Sequence, residues 1–104
     1  MIKGDAIREI RFRDGHIIRK GDSLGLSWPD ARNLPWQVDV IHGDKTLKCK
    51  ASTALAWIGL EVSTEQLSED MNEGICETPA GNRVEPDGVD QGGNPSWLMI
   101  HGIL

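Results

Sequence analysis

The chain has 104 residues, with 11 lysines and arginines against 16 aspartates and glutamates, for a formal net charge of −5. Its 38% apolar and 26% charged residues match an ordinary globular composition, which excludes wholesale disorder and predicts one domain over residues 1–104. No apolar run approaches the ~18 residues of a membrane span, and the opening MIKGDAIREIR lacks the apolar stretch of an export signal, so a cytoplasmic protein without membrane contact is expected.

The charge is unevenly spread. Residues 1–51 carry ten bases against seven acids, while residues 52–104 carry Arg83 alone against nine acids. Such a split points to a charged partner for one half. Cys49 and Cys76 form no CxxC pair and have no histidine at ligand spacing, so they read as reduced thiols.

Residues 8–20 read as a β-hairpin around Asp14-Gly15, a favoured two-residue type I′ turn. That register sets Phe12 against Ile17 and Arg11 against Ile18. Ile10, Phe12 and Ile17 then share one face, and Glu9, Arg11, Arg13, His16, Ile18 and Lys20 the other. The basic outer face, with Arg11, Arg13, His16 and Lys20, is the candidate partner-binding surface. Lys20-Gly21-Asp22 is the next turn.

In LGLSWPDARNLPW, residues 24–36, Ser27 fits the cap of a short helix with Pro29 in its first turn; an irregular loop is the alternative. Trp28 is expected to be partly exposed here, where an amphipathic ring serves as a binding anchor. Trp36 and Trp57 are expected in the core.

Residues 36–51 give the clearest pattern: two alternating runs about Gly43-Asp44. With that turn, Trp36, Val38, Val40, Leu47, Cys49 and Ala51 share a face, and Asp39 lies opposite Lys48. Residues 52–60 are apolar nearly all round and fit a short buried helix capped by Ser52 or a continuation of strand; Ala and Leu in the first half favour the helix. Residues 63–73 predict a second helix. Ser63 and Gln66 form a capping box, Val62 and Leu67 a hydrophobic staple, Leu67 and Met71 a common face, and Gly74 the stop. Its remaining acids, Glu65, Glu69, Asp70 and Glu73, predict a solvated acidic face. Residues 77–95 are rich in Gly, Pro, Asn and Asp and predict a long loop or a pair of tight turns. Residues 97–104, apolar on both faces, suit a central strand or a strand pairing with a second copy.

The chemistry-bearing motifs are sparse. The segment VSTEQLSEDM resembles the second half of a helix-turn-helix, but Glu61 stands where the turn glycine belongs, and four carboxylates oppose approach to phosphates. EPDGVDQGGN lacks the twelfth-position glutamate of a calcium loop, so its acids read as turn chemistry. No phosphate-binding loop, nucleophile elbow or metal motif is present in the sequence, and no cofactor is expected. The fold expected is α+β, a small antiparallel sheet of two hairpins plus a C-terminal strand, covered by one or two short helices. The function expected is a non-catalytic protein-interaction or regulatory module using a charge-asymmetric surface, with a protein partner or self-association. The alternatives are nucleic-acid binding through the hairpin at 8–20, and a small enzyme with a site near His42, beside Asp39, or Cys76.

Overall fold

Ile2, Leu24, Leu26, Val38 and Val40 alternate with polar or glycine positions, and this period of two builds the main sheet. The computed structural model describes residues 1–103. In chain order the elements are β1 (Ile2–Asp5), β2 (Ile10–Arg11), β3 (Ile17–Ile18), β4 (Ser23–Ser27), β5 (Gln37–His42), β6 (Lys45–Lys50), α1 (Ala51–Trp57), α2 (Thr64–Glu73), β7 (Cys76–Glu77), β8 (Arg83–Val84) and α3 (Trp97–Ile100). The fold is α+β. A four-stranded antiparallel sheet runs β1-β4-β5-β6, and β2-β3 and β7-β8 are separate two-stranded pieces. Ile2, Leu26, Val40 and Leu47 form one row across the sheet on the side that faces the helices.

The β5–β6 register is the one expected: His42 faces Lys45, Val40 faces Leu47, Asp39 faces Lys48 and Val38 faces Cys49. The apolar row departs from expectation only at its end, where Trp36 is 49% exposed. β4 ends at Ser27, and the segment after it forms turns, the irregular alternative, instead of a helix capped by Ser27: the Leu34 N–H bonds to the Asp30 carbonyl at 2.8 Å, but Pro35 follows at once and no helix continues from it. Leu24 and Leu26 of β4 are buried.

The β2–β3 hairpin differs from the expected register by one residue. Ile10 pairs with Ile18 and Arg11 with Ile17. The Phe12 N–H bonds to the His16 carbonyl at 2.9 Å, and the Gly15 N–H to the Phe12 carbonyl at 3.1 Å. The loop is therefore Arg13-Asp14-Gly15, a type I turn closed by a left-handed glycine. Only Gly15 needs positive φ, at 91°. A type I′ turn would also force Asp14 into that region; instead its carboxylate accepts the His16 N–H at 3.0 Å. Ile10, Phe12 and Ile18 face the core in consequence, with Ile18 taking the place expected of Ile17.

Helix α1 follows β6 without a linker. The Ala51 N–H still bonds to the Trp36 carbonyl at 2.7 Å, so Lys50 is the N-cap and Ser52 is not. Ala51, Ala54, Leu55 and Trp57 are its buried residues. The helix end lies close over β1: a Cβ at Gly4 would sit 3.0 Å from Ile58 Cβ. Helix α2 has the predicted cap, Ser63 Oγ accepting the Gln66 N–H at 3.0 Å, and Gly74 stops it at φ 73°. The Gln66 side chain does not reach back to the cap; it donates to Asp70 Oδ1 at 2.8 Å. Leu67 and Asp70 turn inward, with Asp70 only 4% exposed, and Met71 lies outside at 52%. The acidic face is thus solvated at Glu65, Glu69 and Glu73 but not at Asp70.

Residues 77–95 form tight turns, held by one carboxylate. Asp90 accepts hydrogen bonds from Thr78 Oγ1 (2.8 Å), Asn82 Nδ2 (3.0 Å), the Gly92 N–H (2.9 Å), and the Asn94 N–H (3.0 Å) and Nδ2 (3.2 Å). The C-terminal run is helical at Trp97–Ile100 and not a strand. Ser96 caps it by accepting the Met99 N–H at 3.2 Å, and all four helical residues are buried. A run apolar on every side fits a buried helix turn as well as a covered strand, and the cap decides. Among the described residues, no helix is long and apolar enough to cross a membrane.

Candidate functional site

The basic face expected on the hairpin loses His16, while Arg11, Arg13 and Lys20 stay exposed. Arg11 is exposed and its Nε lies 2.9 Å from Glu9 Oε2. Arg13 is exposed in the loop and Lys20 in the turn before β4. His16 turns the other way, beside Phe12, with ring centroids 5.7 Å apart. This follows from the three-residue loop, which places His16 opposite Phe12 rather than opposite Arg13. Trp28 is 7% exposed, with Nε1 donating to the Pro35 carbonyl at 3.0 Å. The indole is part of the core, and it is Trp36 that stands outside.

His16 and His42 form a chain the spacing of the residues did not reveal. His16 Nε2 lies 2.9 Å from His42 Nδ1, and His42 Nε2 lies 2.9 Å from Asp22 Oδ2. With His42 donating to the carboxylate, its Nδ1 is left to accept and His16 donates. The Arg19 N–H, and after it His42, hold the Asp22 carboxyl below the ordinary carboxylate range. The expected neighbour Asp39 faces Lys48 instead. The chain ties β3 and the turn before β4 to the end of β5. A hollow of about 550 Å³ over the outer sheet face is lined by Met1, Lys3, Asp5, Ser23 and Ile41 among others, and by neither histidine.

Cys49 is half-buried and Cys76 buried, and both are free. Burial pushes both thiols up, away from the thiolate a nucleophile needs. Among the described residues, no group of three or more His, Cys, Asp and Glu converges to hold a metal ion.

A different constellation lies at the free edge of the main sheet. Among the described residues, strand β6 pairs with β5 alone. Its sequence, KTLKCK, holds three lysines and no acid. Trp36, Gln37, Lys48, Cys49 and Lys50 line a shallow hollow of about 390 Å³ along this edge. Leu34, also exposed, precedes Trp36 by two positions. The sequence hint was positional: Trp36 ends its apolar row, and the end of a row can overhang the core that the middle fills.

The ion pairs show how charge is organised. Arg11–Glu9 and Lys45–Asp14 (2.7 Å) both join residues of the first half, as does the His42–Asp22 hydrogen bond. Among the described residues, no ion pair joins a base of 1–51 to an acid of 52–103. The main sheet and the β2–β3 hairpin come from the first half, whereas α2, α3 and β7 pack on one another in the second. No family model, curated protein or solved structure matches the chain.

Proposed function

We propose that this chain is a non-catalytic protein-interaction module that docks an acidic segment of a protein partner at the β6 edge, around Trp36, Lys48 and Lys50. The observation that carries the reading is Trp36, a large amphipathic ring left 49% exposed, lining one hollow with two lysines that form no ion pair among the described residues. Exposed tryptophans rimmed by charge are favoured binding anchors, because they bury much area while losing little side-chain freedom. Opposite charge across the contact steers and orients the encounter. The decisive measurement is titration of a glutamate-rich peptide at low and moderate salt. Binding weakened at least tenfold by Trp36→Ala, and again by Lys48→Glu with Lys50→Glu, supports the assignment. Affinity unchanged by all three substitutions removes it.

One observation favours nucleic acid as a second reading: an aromatic ring beside lysines is also how single strands are held. The net charge of −5 opposes it, since phosphate neutralisation by bases supplies most of such affinity. A single-stranded oligonucleotide that shifts in a gel at low salt, and is released by Trp36→Ala, would transfer the site to that class.

A further inference from the structure

Resting on the docking reading above, we propose that the acidic segment binds as an added β-strand, extending the sheet beyond β6. The backbone geometry supports this mode. His42 and Lys45 close a two-residue turn, and in an antiparallel ladder bonded and non-bonded pairs alternate. His42–Lys45, Val40–Leu47 and Val38–Cys49 are therefore the pairs whose backbone groups meet, and the Ala51 N–H to Trp36 carbonyl bond continues the series. Thr46 and Lys48, between them, direct their N–H and C=O groups away from β5. No strand lies beyond, and both residues are exposed. These outward groups form an open template for an extended peptide.

Charge selects which strand is accepted. Lys45, Lys48 and Lys50 repel a second copy of β6, the ordinary defence of an edge against self-pairing. The same lysines face an acidic strand with opposite charges directly across the ladder, the favourable arrangement. Lys45 already engages Asp14, whereas Lys48, with Asp39 across the β5–β6 pair, and Lys50 form no ion pair among the described residues and are the lysines offered to the partner. The other edge, β1, is shorter and mixes Lys3 with Asp5, so it offers no single-sign template. Trp36, in line with β5 and opposite Ala51, lines one hollow with Lys48 and Lys50 and adds an apolar contact beside the edge.

The test uses a peptide of about ten residues, the upper range of natural strands, alternating glutamate with threonine. Two derivatives carry backbone N-methyl groups on the glutamates or on the threonines, which removes N–H donors of one parity and keeps every charge. Strand addition predicts that one derivative binds at least tenfold more weakly than the other. It also predicts that the Thr46 and Lys48 amides gain protection from hydrogen exchange in the complex. Equal binding of both derivatives, with those two amides unprotected, overturns strand addition and leaves side-chain docking standing. Failure of the unmodified peptide to bind the intact protein at low salt overturns both.

Discussion

Trp28 and Trp36 flank the same proline-bounded turn and meet opposite environments. The Trp28 indole has its one donor satisfied by the Pro35 carbonyl and its ring enclosed. Trp28→Ala is expected to cost about 3–5 kcal/mol in chemical denaturation, the usual range for emptying an aromatic site. Trp36→Ala is expected to change stability by about 0.5 kcal/mol or less, as at most exposed positions, and to remove the tryptophan most open to acrylamide quenching. Asp90 shows a different kind of dependence. Burial works to raise its pKa, but bonds from Asn82, the Asn94 N–H, Thr78 and the Asn94 amide outweigh it and hold the carboxyl at about 2. A folded-state value below the ordinary one means that Asp90 stabilises the fold above about pH 4, and that this contribution fades as pH falls towards 2. Asp90→Ala should cost about 1–3 kcal/mol at neutral pH, and Asp90→Asn should flatten the acid limb of a stability–pH curve.

At the level of elements, local chemistry was readable wherever one residue settled the geometry. Ser63 and Gly74 bounded α2, and Gly43-Asp44 fixed the β5–β6 register, because each answers a backbone requirement within a few residues. Non-local requirements stayed hidden. Residues 97–100 are apolar on every side, so periodicity could not tell strand from helix until Ser96 was seen to cap them. Asp14-Gly15 was read as the turn, but a single positive φ sufficed, and one residue of register moved His16 from the outer face to the inner. That shift took His16 out of the candidate face on the hairpin and made the His16–His42–Asp22 chain possible. The edge lysines were legible as charge, whereas the exposure of Trp36 depends on how far the core extends beneath it. The histidine chain, beside the Lys45–Asp14 ion pair, ties the hairpin to the main sheet. His42→Ala is expected to speed amide exchange at Phe12 and Ile18 while leaving Leu26 and Val40 slow, a contrast that hydrogen–deuterium exchange reads residue by residue.

Across the whole molecule, the sheet and the helical half differ in sign as well as in architecture. Among the described residues, the Arg11–Glu9 and Lys45–Asp14 ion pairs neutralise part of the first half from within, and those acids are its own. Lys48 and Lys50 are left available, while Glu65, Glu69 and Glu73 stand exposed on α2. Encounter rates with a charged peptide should fall steeply as salt is added.

The absence of ion pairing between the two halves, among the described residues, has a practical expression on a chromatography column. A protein with an isoelectric point near 5.0 would ordinarily flow through a sulfonate resin at neutral pH. This one should be retained there at low ionic strength by its lysine-bearing rim, as well as by a quaternary-amine resin through its helical end. Replacing Lys48 and Lys50 with glutamate should abolish the first retention and strengthen the second.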